Sequence, residues 1–209
     1  MLKVLIADDH AVVRRGLKQI LLEGFPTALV QEVTDAEEMV KKILQESWDL
    51  IISDLSMPGR SGLEALQQIK QLRPKVPVLI LSIHPEEQYA IRALRAGASG
   101  YLNKGMASEE LVLAVQKVLL GKKYITANIA EKLASVLDKN INKPLHESLS
   151  DREFSVLKLL ASGKSVSEIA ESMFLSVTTV STYRTRILVK MGLKNNADLT
   201  LYALENKLL

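Results

Sequence analysis

With 209 residues, 47% hydrophobic and 24% charged, the chain has ordinary globular composition, long enough for two small domains and incompatible with wholesale disorder. It contains no cysteine, which excludes disulfides and thiolate-bound metals and suits a reducing compartment. The formal net charge of +3 is unevenly spread: residues 1–121 carry 14 Lys and Arg against 15 Asp and Glu, and residues 122–209 carry 13 against 9.

The first element is the apolar run from Met1 to Ala7, which stops at Asp8-Asp9. It is too short for a signal peptide and reads as a buried strand. No later stretch approaches the length of a bilayer span, so a soluble cytoplasmic protein with no membrane partner is expected. Further apolar runs fall at Leu29–Val33, Leu50–Ser53, Val78–Ser82 and Gly100–Leu102. Helix-period stretches lie between and after them: Val13, Leu17, Ile20 and Leu21; Leu63, Leu66 and Ile69; and Leu111, Val115, Val118 and Leu119, the last predicted to be capped by Ser108. Strands alternating with helices predict βαβ units, hence a doubly wound, five-stranded parallel sheet of flavodoxin-like type.

After Gly121 the pattern changes. A helical segment, Ala127–Leu137, precedes the polar stretch Asp138 to Pro144, which reads as an interdomain linker. The predicted organisation is therefore a domain at 1–121, a helical segment and linker at 122–147, and a helical domain at 148–209. In that last part Ser150 and Glu153 have capping-box spacing, followed by Phe154, Leu157 and Leu160, with Gly163 as the stop. Ser165 caps a second helix with Ile169, Ala170 and Met173 inward, and Ser176 caps a third whose buried face is Val180, Ile187, Leu188 and Met191. A fourth runs from about Asn196 to Leu204. Two short helices, a tight turn and a polar-faced third helix make a helix-turn-helix, whose recognition helix enters the major groove. Between Glu171 and Asp198 there is no acid, whereas Arg184, Arg186, Lys190 and Lys194 all fall there, a basic patch suited to a polyanion.

The polar residues of the first domain cluster at strand ends: Asp8 and Asp9, Asp54, Ser82 and Lys104. In a parallel sheet these converge on one edge. Three carboxylates there repel one another unless a cation binds them, and a hard, oxygen-rich site suits Mg²⁺. A lysine and a hydroxyl nearby can hold phosphoryl oxygens, and a carboxylate can act as the nucleophile that forms an acyl phosphate. The histidines His10, His84 and His146 show no ligand spacing and predict no zinc site, although His84 follows Ser82 closely enough to influence hydrolysis.

The motifs Ile6-Ala7-Asp8-Asp9-His10, Asp54-Leu55-Ser56-Met57-Pro58-Gly59, Ser82 and Gly97-Ala98-Ser99-Gly100-Tyr101-Leu102-Asn103-Lys104 closely resemble the receiver domain of two-component response regulators. The resemblance implies that Asp54 accepts a phosphoryl group from a sensor histidine kinase. It also implies that Asp8, Asp9 and Asp54 coordinate Mg²⁺ with the backbone carbonyl of Ser56. Lys104 would pair with the phosphate, Ser82 would hydrogen-bond it, and Tyr101 would turn inward as the readout. One departure is Gly105, where many receivers have proline. Leu149–Glu153, Ser167–Ala170, Leu175–Val180 and Lys190–Leu193 resemble the LuxR-type output domain, which makes the whole chain similar to the NarL/FixJ subfamily. That similarity implies a transcriptional regulator rather than an enzyme, binding double-stranded DNA and dimerising when phosphorylated. Ser181, Thr182 and Thr185 would reach base edges, with Arg184, Arg186, Lys190 and Lys194 as phosphate contacts. Several relatives carry lysines at the positions of Ser181 and Thr185, so base preference is not readable from the residue types. Two other readings remain. One is a phosphorylation-independent DNA-binding regulator with the receiver as a dimerisation module. The other is a Mg²⁺-dependent phosphotransferase or phosphatase, disfavoured because such enzymes place the nucleophile in an Asp-x-Asp pattern where this chain has Asp8-Asp9-His10.

Overall fold

The computed structural model describes residues 1–57, 62–138 and 144–209. Pro58 and Gly59 of the Asp54 motif, and linker residues 139–143, lie outside the described residues. The chain divides into two compact units, Met1–Leu137 and Asp138–Leu209.

The first unit is a parallel five-stranded sheet of order β2-β1-β3-β4-β5, built from β1 (Lys3–Ala7), β2 (Leu29–Val33), β3 (Leu50–Asp54), β4 (Val78–Ser82) and β5 (Gly100–Asn103). The β1, β3 and β4 runs are apolar on both faces because helices cover both. One face packs Val4, Ile6, Leu50, Ile52, Leu79, Leu81 and Leu102 against α1 (Ala11–Gly24) and α5 (Ala107–Leu119), through Leu17, Leu21, Leu111, Val115 and Val118. Burying each such aliphatic side chain is worth about 1.5–3 kcal/mol. The remaining helices are α2 (Ala36–Gln45), α3 (Gly62–Leu72), α4 (Glu86–Arg95) and α6 (Ala127–Asp138). Asp35 caps α2 by accepting from the Glu38 amide.

Ser108 does not cap α5. The Lys104–Met106 segment forms a 3₁₀ turn that runs straight into the helix, so Ser108 already lies in its first turn. The cap falls earlier, where Asn103 Oδ1 accepts from the Gly105 amide at 2.9 Å, a donor that proline would lack. The segment after Gly121 packs onto the sheet edge rather than standing apart from the first unit. Tyr124 bridges to Gly100 and donates its amide to Ser99, Thr126 donates to Glu86, and Ile129 is buried. Those contacts draw α6 into the first unit, whereas the sequence suggested a separate segment at 122–147.

The second unit contains a 3₁₀ turn at Leu145–Ser148, then α7 (Asp151–Ala161), α8 (Val166–Ser172), α9 (Val177–Met191) and α10 (Asn196–Glu205). Both α7 and α8 start with reciprocal capping boxes, Ser150 with Glu153 and Ser165 with Glu168, and Ser176 caps α9 through the Thr179 amide. Gly163 and Gly192 stop α7 and α9 in the left-handed region, where a side chain is disfavoured. The core unites Phe154, Leu157 and Leu160 with Ile169, Val180, Ile187, Met191, Leu199 and Ala203. Met173 and Leu188, expected inward, are only half-buried.

Candidate phosphoacceptor pocket and nucleic-acid face

The strand ends bring Asp8, Asp9, Asp54 and Lys104 into one pocket. Asp54 is the last residue of β3, in register with Leu81 of β4, and it is 3% exposed. Asp8 follows β1 and is 1% exposed. The Lys104 ammonium, 10% exposed, reaches both, at 2.7 Å from Asp8 Oδ2 and 2.9 Å from Asp54 Oδ2. Ligand atoms of Asp8, Asp9, His10 and Asp54 lie within 4.8 Å of one another. His10, for which the sequence shows no ligand spacing, sits 2.7 Å through Nδ1 from Asp9 Oδ1, and its backbone amide donates to Asp8. Its position directly after the two acids was the signal that could have found it.

Electrostatics explain why such a pocket suits a cation. Burial pushes the Asp54 carboxyl up, and this outweighs the opposing pull of Lys104 and of the Ser56 amide that donates to it. Burial also works against the Lys104 cation, but hydrogen bonds to Asp8 and Asp54 prevail and hold it above its ordinary value. Among the described residues Lys104 is the lysine that meets these carboxylates; with one positive charge against two buried negative ones, oxygen donors this close fit a small hard divalent ion.

The floor of this edge carries the expected switch residues. Ser82 and Tyr101 are fully buried. Ser82 Oγ accepts from the His84 amide at 3.0 Å, and the Tyr101 hydroxyl donates to the His84 carbonyl at 2.9 Å. Burial pushes the Tyr101 phenol above its ordinary range, with the Ser82 hydroxyl pulling the other way. His84 also touches the far side of the mouth: its Nε2 is 3.1 Å from Ser56 Oγ, and its ring stacks on Tyr89. Sequence reasoning missed Gly62 altogether. It opens α3 against the end of β3, where a Cβ would stand 2.3 Å from the Asp54 carbonyl oxygen, and its amide donates to Leu55.

On the second unit, Ser181, Thr182, Thr185 and Arg186 are exposed along α9, and Lys194 is exposed beyond its end. Thr182 Oγ1 donates to the Thr178 carbonyl at 2.9 Å and Thr185 Oγ1 to the Ser181 carbonyl at 3.1 Å. Two of the expected phosphate contacts are tied inside the unit. Arg184 is half-buried and donates from Nε to Asn196 Oδ1 at 2.7 Å, and Lys190 Nζ donates to Glu153 Oε2 at 2.7 Å. Glu153 is 3% exposed. Burial pushes its carboxyl up, but Lys190 and the Ser150 amide and hydroxyl outweigh this and hold it below its ordinary value.

Two protein families match this chain: "Response regulator receiver domain" over residues 4–116 and "Bacterial regulatory proteins, luxR family" over residues 147–203. It is 38% identical to the oxygen regulatory protein NreC of Staphylococcus aureus, across 100% of this chain and 99% of that protein. Among solved structures it is similar to RcsB from Salmonella enterica serovar Typhimurium bound to promoter P1flhDC in the presence of phosphomimetic BeF₃⁻. That match has 27% identity and a TM-score of 0.60, covering 96% of this chain and 97% of that one. A structure of two RcsB dimers bound to two parallel DNAs matches with 26% identity and a TM-score of 0.61, covering the same shares. Among the described residues no helix is long and apolar enough to cross a membrane. A parallel-sheet unit with an acidic edge, joined to a capped helix-turn-helix unit and matched over its full length, makes this chain a member of the two-component response regulators, a DNA-binding regulator with a receiver and a LuxR-type output domain.

Proposed function

We propose that Asp54 is the phosphoacceptor and that its phosphorylation by a sensor histidine kinase controls binding of α9 to double-stranded DNA. The observation that carries this reading is the ammonium of Lys104 held between the buried Asp8 and Asp54 carboxylates. A carboxylate oxygen of Asp54 attacks the phosphorus of the kinase's phosphohistidine; the N–P bond breaks, an O–P bond forms, and the product is an acyl phosphate. Lys104 swings its charge toward the incoming phosphoryl oxygens, Ser82 donates a hydrogen bond to one of them, and Tyr101 reports the change from beneath. Asp8, Asp9 and Asp54, with the Ser56 carbonyl, are the residues that would hold Mg²⁺, which when bound supplies positive charge to the same oxygens.

On the output unit, Ser181, Thr182 and Thr185 meet base edges in the major groove, and Arg186 and Lys194 contact phosphates. Arg184 and Lys190, each with an intramolecular partner, primarily set the pose of α9 and offer their remaining N–H groups to the backbone. Two output domains of a phosphorylated homodimer would occupy half-sites about one helical turn apart. Its location would be cytoplasmic.

Incubation of the purified chain with Mg²⁺ and a small phosphodonor, followed by intact-mass and DNA-binding measurements, tests the assignment. The wild type gains one phosphoryl group and binds DNA more tightly, whereas Asp54→Ala does neither. Equal phosphate uptake by Asp54→Ala removes the phosphoacceptor assignment. Equal DNA affinity with and without the donor favours a receiver that serves only to dimerise.

A further inference from the structure

The outward stripe of α9 is defined by helical spacing: Thr178, Thr182, Thr185 and Val189 follow one another at intervals of four, three and four residues, and all four are exposed. Val189 is 76% exposed although apolar. The two middle threonines are not free hydroxyl donors. Thr182 gives its hydrogen to the carbonyl of Thr178, and Thr185 gives its hydrogen to that of Ser181. What each still offers a partner is an oxygen lone pair and its Cγ2 methyl group.

That limits what the stripe can read. Guanine presents only acceptors in the major groove, N7 and O6, and adenine N7 is also an acceptor. A threonine that keeps its bond to the helix carbonyl has no hydrogen left for any of them. Its oxygen can accept from an adenine or cytosine amino group, and its methyl, like the isopropyl group of Val189, matches the C5-methyl of thymine. None of Thr182, Thr185 and Val189 supplies the bidentate donor by which guanine is most often read.

We propose that α9 recognises its site chiefly through apolar contacts between the side chains of Thr182, Thr185 and Val189 and the C5-methyl groups of thymines, so that each half-site carries thymine where these residues touch down. The proposal rests on the reading that α9 enters the major groove. It refines that reading by naming the chemical group on the base that is recognised.

The test uses the full-length protein and duplexes it selects from a random-sequence pool. The selected duplex is remade with deoxyuridine replacing thymidine at each position in turn, which removes only the methyl group. At two or more positions per half-site the dissociation constant rises about three- to fivefold, the worth of one buried methyl. Thr185→Ser, which keeps the hydroxyl and loses the methyl, weakens binding by a similar factor and cancels the uracil effect at its own position. Thr185→Val, which keeps the methyl and loses the hydroxyl, weakens binding less than Thr185→Ser. The opposite ranking, or a selected duplex indifferent to uracil, overturns the proposal. Thr182→Asp separates this from the parent reading. A carboxylate on the stripe abolishes binding wherever α9 docks on phosphate-lined DNA. Normal binding by Thr182→Asp sinks the docking itself, while abolished binding together with indifference to uracil sinks methyl recognition alone. A pool that yields no enriched sequence also overturns the proposal.

Discussion

The acid pocket and the α9 face solve opposite problems. In the pocket, charge is buried: Asp8 and Asp54 are almost inaccessible and share the Lys104 ammonium. On α9 the chemistry is exposed and small, with hydroxyls turned back on their own helix and an unburied valine. A site that must bind a few atoms of high charge density gains from low dielectric and fixed dipoles. A surface that slides along and then fits a duplex, as proposed for α9, gains from shape and modest, additive contacts. The pocket's strength is thus concentrated in a few groups, and that of the helix face is distributed.

The sharpest way to break this contrast is Lys104→Met. Removing the cation leaves two buried carboxylates uncompensated, and a loss of about 3–5 kcal/mol is expected when divalent ions are chelated. Calorimetry with and without Mg²⁺ reads the result: the ion raises the variant's melting temperature more than the wild type's. A variant that melts like the wild type in chelator would show that the pocket charges are not coupled. Gly62→Ala comes next. Its Cβ forces the start of α3 off the Asp54 carbonyl, which costs about 1–3 kcal/mol and slows phosphoryl uptake from a small donor, while the helical unit's DNA contacts are untouched.

The second unit has a buried charge of its own. Glu153 has a folded-state pKa below its ordinary 4.5. Its contribution is therefore complete above pH 4.5 and is lost as pH falls through the lowered value. Glu153→Gln is expected to cost about 1–2 kcal/mol at neutral pH and to flatten the acid side of the stability profile, followed by urea unfolding. The partner lysine is 42% exposed, so solvent screens the pair and the lower end of that range is expected. The smallest effect is at the surface. Arg186→Ala and Lys194→Ala each reduce the slope of log affinity against log salt by about one and weaken all duplexes alike. A change confined to one sequence would make either a base reader.

Much of the pocket was legible because it obeys a local rule. A short apolar run that stops at a polar residue marks the end of a parallel strand: Asp54 and Ser82 close five-residue strands, Asp8 follows one, and Lys104 follows the four-residue β5. The capping box at Ser150 and the cap at Ser165 were legible because they too are local, although Glu168's part in the second box was not read. What escaped depends on distance along the chain. Lys190 meets Glu153 across 37 residues and Arg184 meets Asn196 across 12, and neither pairing leaves a periodic trace. Helix α4 was not singled out because its buried face is two alanines with Tyr89 and Ile91, a weak apolar signal. Ser108 misled because a serine before Glu109 and Glu110 imitates a cap when a 3₁₀ turn has already begun the helix.

The seam between β5 and α5 has a mechanical consequence. Lys104 opens a 3₁₀ turn that continues into a 13-residue helix without a slack residue between them. A rod about 20 Å long thus follows directly on the residue whose ammonium touches Asp8 and Asp54. A shift of the backbone at Lys104 therefore has no slack residue in which to dissipate before the rod begins, and the rod's outer side displays Leu113 and Leu119.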